Sequence, residues 1–209
     1  NIPDSKSEIE RIAEAIIEHR IDVIGYSMSY DISFRWLLRL SSAVRQTYPS
    51  IIQIAGGPAV TTAYGDIFEE GAELDALGYS EGEVGLLNLL NSEDPYEALK
   101  LDPWVLPDHK VAKKMPRAVY EDLDKVIKVN YDLVDTNAYS MKEAFSPFVK
   151  YSDGSKQFFL VTSRGCPFKC NFCAEPQFHG ANMRYASVDN IIEHVGMLVD
   201  KYGLNVLTI

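Results

Sequence analysis

Asp22-Val23-Ile24-Gly25-Tyr26-Ser27 and, further on, Ile51-Ile52-Gln53-Ile54-Ala55-Gly56-Gly57-Pro58 decide the fold class. Each is a short, largely apolar run that ends in small residues, as a buried strand does. Helical patterns flank them. Ser5-Lys6-Ser7-Glu8 has the Ser-x-x-Glu form of a capping box, and Ile9, Ile12, Ala13, Ile16 and Ile17 then recur at helical spacing to about His19. A second helix is expected from about Ser33 until Pro49 stops it, with Trp36, Leu37, Leu40 and Val44 on one face. A third is expected around Thr61–Glu70, then a short strand at Asp75-Ala76-Leu77 and a helix from Glu83 to Leu90. Strands alternating with helices in this way predict βαβ units, a parallel sheet and right-handed crossovers. The expected fold is α/β, part of a doubly wound, Rossmann-like domain.

In open parallel sheets, ligands bind outside the carboxyl ends of the strands. Here those ends read Ser27-Met28-Ser29, Gly56-Gly57-Pro58 and Gly78-Tyr79-Ser80-Glu81-Gly82-Glu83. Turn chemistry alone accounts for any one of these glycines. Three small-residue loops at one edge of one sheet make Ser27, Gly56, Gly57, Glu81 and Gly82 candidates for ligand contact. Glu81 and Glu83 have a second reading as caps of the following helix.

The rhythm fails after this domain. Pro95, Pro103, Pro107, Pro116 and Pro147 punctuate a stretch with scattered aromatics (Trp104, Tyr120, Tyr131, Tyr139) and one short helix expected near Val119–Val126. That composition predicts a packed connector rather than a flexible one. Periodicity returns with Phe158-Phe159-Leu160-Val161-Thr162 as a strand. A helix capped by Ser187 follows, with Ile191, Ile192, Val195, Leu198 and Val199 on one face, and Gly203 ends it before a terminal strand. The expected division is residues 1–92, a connector over 93–156, and a second domain beginning at 157. The strand-to-helix loop spanning 163–186 far exceeds the usual ~2–6 residues. Long loops at the carboxyl end of a parallel strand are where α/β enzymes hold their chemistry.

Composition narrows the function classes. Hydrophobic residues make up 46% and charged residues 24% of the 209 residues, as in ordinary globular proteins. No apolar run approaches the roughly 20 residues of a membrane helix, and Asn1-Ile2-Pro3-Asp4 does not open a secretory signal. The net charge of -10 falls entirely in residues 1–100, which carry 17 acids and 7 bases, while the remainder has 13 of each. The first half therefore lacks the basic footprint of a nucleic-acid binder. The absent Met and the abrupt apolar end at Asn205-Val206-Leu207-Thr208-Ile209 lead us to expect a piece of a longer protein.

All three cysteines lie in the long loop, as Cys166-Pro167-Phe168-Lys169-Cys170-Asn171-Phe172-Cys173. An odd, clustered set without a secretory signal points to metal ligation in a reducing compartment, the cytoplasm, rather than to disulfides. Thiolates are soft ligands, so zinc and iron-sulfur are both open. A closed zinc site needs a fourth ligand, which His179 could supply. A 4Fe-4S cluster on three thiolates leaves one iron open. Of the other histidines, His19 and His194 read as surface or boundary residues on helices, and His109 sits in the connector. Arg184 reads as a charge before a helix, with reach toward a cofactor as its alternative.

The run Ser163-Arg164-Gly165-Cys166 through Phe172-Cys173 resembles the cluster loop of radical S-adenosylmethionine (SAM) enzymes. Upstream, Asp22–Ser27, Gly56-Gly57-Pro58 and Glu81-Gly82-Glu83 are similar, in order and spacing, to the cobalamin-binding domain that precedes the radical SAM barrel in one large subgroup. Glu121-Asp122-Leu123-Asp124, Tyr131-Asp132-Leu133-Val134 and Arg184-Tyr185-Ala186-Ser187 are further matches. Two positions depart from the pattern: Ala59 stands where many relatives have His, and Ser80 where they often have Gly.

The resemblance implies a partial Rossmann-like domain followed by the start of a radical SAM (β/α) barrel. It implies a 4Fe-4S cluster on Cys166, Cys170 and Cys173, whose open iron chelates SAM, with Phe172 beside cluster and adenine. Cobalamin would rest on Ser27, Gly56, Gly57, Glu81 and Gly82. The implied partners are a small-molecule substrate and an electron donor such as flavodoxin or ferredoxin. Methyl transfer from cobalamin to an unactivated carbon is the favoured reaction. Radical cyclisation or rearrangement, methylthio transfer and a zinc-stabilised binding module stay open as alternatives. Residues 1–157 contain no cysteine, unlike the amino-terminal domain of methylthiotransferases.

Overall fold

The computed structural model describes residues 5–108, 116–126, 128–136 and 156–208. His109, Tyr139 and Pro147 lie outside these. The chain forms two compact units: residues 1–120 with 168–181, and residues 121–167 with 182–209.

In the first unit, α1 (Ser5–His19) leads into β1 (Val23–Ser27) and, after a 3-10 turn at Asp31–Ser33, α2 (Phe34–Thr47) leads into β2 (Ile52–Gly56). Then come α3 (Pro58–Ile67), β3 (Ala76–Gly78), α4 (Glu83–Leu90), α5 (Pro95–Ala98) and β4 (Trp104–Val105). The sheet order is β1-β2-β3-β4. β1, β2 and β3 are parallel, with Ser27 opposite Gly56 and Ala55 opposite Leu77, so their carboxyl ends share one edge as expected. β4 is antiparallel, pairing Leu77 with Val105.

Apolar residues are buried on both faces of β2, as a central parallel strand requires. Ala55 and Leu77 pack with Met28, Leu37, Val60 and Ile67, whereas Ile52, Ile54 and Ala76 pack with Leu89, Leu99 and Trp104. The helical stripes are narrower than the sequence pattern suggests. Among the described side chains of α1 only Ile16 is buried, joining Val44 and Ile51, while Ile17 is 69% exposed. On α2 the buried set is Leu37, Ser41 and Val44, with Trp36 and Leu40 half-buried.

Two features of this unit escape hydrophobic periodicity. Gln53 is fully buried in β2, yet its amide is saturated: Tyr26 Oη donates to Oε1 at 2.6 Å, and Nε2 donates to the carbonyls of Ser41 and Glu73 at 3.1 and 3.0 Å. Burial pushes the Tyr26 hydroxyl up to about 12, against an opposing pull from Arg45. The second feature is that the sheet continues past residue 92. Asp94 caps α5 by accepting from the amides of Tyr96 and Glu97, Pro95 fills the first turn, and the chain returns as β4. The expected connector therefore contributes a strand and part of a core.

The second unit contains α6 (Leu123–Val126), a 3-10 turn at Tyr131–Leu133, β5 (Gln157–Phe159) and β6 (Ser163–Arg164). After α7 (Glu175–His179), which belongs to the first unit, follow β7 (Arg184–Tyr185), α8 (Val188–Tyr202) and β8 (Val206–Thr208). β5 and β8 pair in parallel, so this βαβ unit forms as expected. β6 and β7 pair antiparallel and close the base of the long loop. The Ser187 side chain accepts from the Asn190 amide, and Gly203 sits at φ 72 to end α8.

The buried stripe of α8 differs from the expected one. Leu198 and His194 point inward, packing near Phe158, Leu204 and Tyr131, while Ile192 and Val199 are 66% and 46% exposed. His194 is thus a core residue, not a boundary one. Its Nε2 is buried without a hydrogen-bond partner among the described residues, and burial lowers its pKa.

Candidate functional site

Three loops meet at the carboxyl edge of β1, β2 and β3. The Met28 amide donates to the Gly56 carbonyl at 2.8 Å, and the Ala59 amide donates to the Met28 carbonyl at 3.2 Å, which ties the first two loops together. Ser27 and Gly82 are exposed and Gly56 is half-buried. A Cβ added at Gly56 or Gly82 would meet nothing within 4 Å. The edge is therefore bare backbone with open space in front of it, which suits close approach by a broad, flat ligand.

Two of the five expected contact residues are accounted for within the protein. Gly57 lies at φ 109, ψ 175, a region essentially restricted to glycine, and a Cβ there would stand 2.5 Å from the Met28 carbonyl oxygen. The neighbouring loop by itself requires glycine at this position. Glu81 is only 3% exposed, and its Oε1 lies 2.6 Å from Nδ1 of His179. The cap position of α4 is Gly82, which has no side chain to offer.

The cysteine loop supplies three free thiols, with Cys166 half-buried and Cys170 and Cys173 exposed. The Cys173 amide donates to the Cys170 carbonyl at 3.1 Å, folding the C-x2-C portion into a turn. Cys166 belongs to the second unit, and Cys170 and Cys173 to the first. Among the described residues, no three His, Cys, Asp or Glu side chains group as they would around a metal ion. The donor chemistry still fits a soft metal centre: three reduced, reachable thiols and no disulfide among the described residues. Phe172 is 93% exposed. His179 is held by Glu81, with Glu175 Oε1 4.0 Å from its Nε2. Arg184 donates to the Glu121 carbonyl at 3.2 Å, so this side chain serves the fold of the second unit.

What periodicity and motif spacing missed is the set of polar contacts to α7. Their only trace in the sequence is Ser80, at a turn position where glycine is easier. Ser80 sits at φ 71, and its hydroxyl donates to the Phe178 carbonyl.

A parallel α/β sheet with a bare loop edge defines a Rossmann-like ligand-binding domain, and residues 1–90 match the B12 binding domain family. These residues are a B12-binding domain, in accord with the resemblance read from the sequence. Over most of its length the chain is also similar to longer proteins. It is 26% identical to an uncharacterized methyltransferase of Pyrococcus horikoshii, over 92% of this chain and 40% of that protein. It is 28% identical to a cobalamin-dependent radical SAM methyltransferase of Streptomyces tokunonensis, over 79% of this chain and 23% of the relative. It is 26% identical to the anaerobic magnesium-protoporphyrin IX monomethyl ester cyclase of Synechocystis, over 95% and 38% respectively. The chain thus spans 40% or less of the length of these relatives. Among the described residues, no helix is long and apolar enough to cross a membrane.

Proposed function

We propose that this chain is the cobalamin-binding and cluster-binding portion of a radical SAM enzyme that transfers a methyl group to an unactivated carbon of a small molecule. The observation that carries the reading is the pairing, in one chain, of a B12-binding domain with a C-x3-C-x2-C loop of free thiols. Cobalamin would lie on the open edge of Ser27, Gly56 and Gly82. Cys166, Cys170 and Cys173 would hold a 4Fe-4S cluster, with Phe172 beside it. Bound together with SAM, which is the source of both the methyl group and the radical, these cofactors would supply the chemistry, and the protein would supply position and exclusion of water. In this reading residues 1–92 serve cobalamin, 93–156 connect, and 157–209 begin the SAM domain. A low-potential donor of the flavodoxin or ferredoxin class would deliver the electron in the cytoplasm. Radical cyclisation is a second reading, favoured by the cyclase relative that matches 95% of this chain.

The test is anaerobic purification of the full-length protein with cobalamin supplied, followed by iron, sulfide, zinc and cobalamin analysis, spectroscopy, and assay for SAM cleavage. One 4Fe-4S cluster and one cobalamin per chain, with SAM cleaved to 5'-deoxyadenosine or S-adenosylhomocysteine, is the expected result. Stoichiometric zinc without iron or sulfide overturns the cluster assignment. A protein that retains no cobalamin overturns the methyl-transfer reading.

A further inference from the structure

Residues 168–181 of the cysteine loop fold with the B12-binding unit. Four contacts hold them. The Gln177 side chain donates Nε2 to the Thr61 carbonyl at 3.1 Å and is hydrogen-bonded to Tyr79. The Ser80 hydroxyl donates to the Phe178 carbonyl. His179 Nδ1 meets Glu81 Oε1 at 2.6 Å with the carboxylate nearly fully buried. The loop that presents these groups is itself braced, because the Ser80 amide donates to Thr61 Oγ1 at 2.9 Å.

Ser80 adopts a left-handed backbone conformation in which a side chain is disfavoured. A turn alone would be better served by glycine. Retaining a hydroxyl there is explained if the side chain has a task, and the task on view is the Phe178 carbonyl. The Glu81 carboxylate is likewise buried at a cost that its His179 contact offsets.

We propose that Ser80, Glu81 and His179 form a latch whose role is to fix the Cys170–Cys173 turn through α7, so that His179 is a positioning residue and not a metal ligand. The inference rests on the proposed function only in naming what the turn carries. An Nδ1–H donated to Glu81 fixes the imidazole tautomer and ring orientation. His179 lies six positions after Cys173. α7 therefore transmits the position of the B12-domain edge to the thiols over about one helical turn and a short link.

The experiment uses the full-length protein and measures amide exchange of residues 168–181, first without cofactors. Ser80→Gly separates a latch from a mere turn, because the two readings predict opposite changes. Relief of the left-handed strain keeps or raises the unfolding midpoint, whereas loss of the hydroxyl speeds exchange in 168–181 about tenfold. His179→Leu should do the same, and His179→Asn, which places a donor near the Nδ1 position, should restore protection. Unchanged exchange in both Ser80→Gly and His179→Leu overturns the latch. After reconstitution with iron and sulfide, His179→Leu should keep the iron content of the parent while altering its cluster spectrum. Zinc or iron lost in proportion to His179 would mark it as a ligand and also overturn the proposal. A parent that takes up no iron defeats the proposed function instead, and the exchange result without cofactors still decides the latch.

Discussion

Gly57 and Met28 approach so closely that a single added carbon on Gly57 would lie 2.5 Å from the Met28 carbonyl oxygen. The contact locks the first two ligand-edge loops together through backbone atoms, which neither residue's chemistry announces. It reverses the steric logic for this glycine. A bulky group at Gly57 would disturb the domain itself before it could obstruct a ligand.

Gly57→Leu is therefore expected to lower stability by about 2–4 kcal/mol, from backbone strain and overpacking together. Gly56→Leu faces open space and should leave the unfolding midpoint within about 0.5–1 kcal/mol of the parent. Under the proposed function it should also strip cobalamin from the full-length protein. Chemical unfolding of both variants, with cobalamin retention measured for Gly56→Leu, checks this. A Gly57→Leu protein of parental stability would contradict it.

Gln53→Leu should cost about 1–3 kcal/mol, because it leaves the Ser41 and Glu73 carbonyls and the Tyr26 hydroxyl without their partner. The Tyr26 pKa is raised to about 12 against 10.0 for an unperturbed tyrosine, so the neutral hydroxyl is favoured in the fold. Its contribution to stability is complete below pH 10 and is lost as pH rises from there toward 12. Tyr26→Phe should flatten that alkaline slope, as read by unfolding at several pH values.

His194 has its pKa lowered, first by burial and next by Lys128, with Glu193 opposing. The unfolded chain then takes up the proton first as pH falls through 6.5, so stability must fall with acidification below that point. The decline ends once the buried ring also protonates. His194→Phe, which removes a buried nitrogen lacking a partner among the described residues, should unfold with a shallower dependence on pH below 6.5 and be no less stable at pH 5. An unchanged acid slope would show that other groups set it.

Cys166→Ala, Cys170→Ala and Cys173→Ala should each reduce bound iron at least tenfold while leaving cobalamin content within about twofold, if thiolates hold the cluster and the bare edge holds the corrin. Parallel iron and cobalamin assays on the full-length variants test this. Iron retained by any one variant would remove that residue from the ligand set.

Gly85→Ala is expected to destabilise the first unit by about 1–3 kcal/mol. The added methyl would stand 2.8 Å from Cδ of Pro103, a ring carbon with little freedom to move. Thermal unfolding checks the direction.

The alternation of short apolar runs with amphipathic helices was enough to place β1, β2, β3, α2 and α4, because each is specified by local periodicity and by residues that stop it. The same is true of α8, whose ends are written in Ser187 and Gly203. The cysteine spacing is also local, so the donor set was visible in the chain order alone. The small residues at Ser27, Gly56 and Gly82 pointed to an open edge for a related reason: strand polarity puts all three at one end of the sheet.

Only the tertiary structure decided what depends on contacts between distant segments. Trp104–Val105 looks like connector, since two residues carry no periodicity, yet they pair with β3. His194 and Ile192 exchanged their expected places because a helix stripe fixes spacing but not the rotation at which it meets Phe158 and Leu204. Nothing in the order of residues links Glu81 to His179, 98 residues away, yet the two side chains meet. Periodicity records which face a residue shares with its neighbours in sequence. It carries no record of which carboxylate, carbonyl or backbone atom that face will meet, and those encounters set the roles of Gly57, Ser80 and His179.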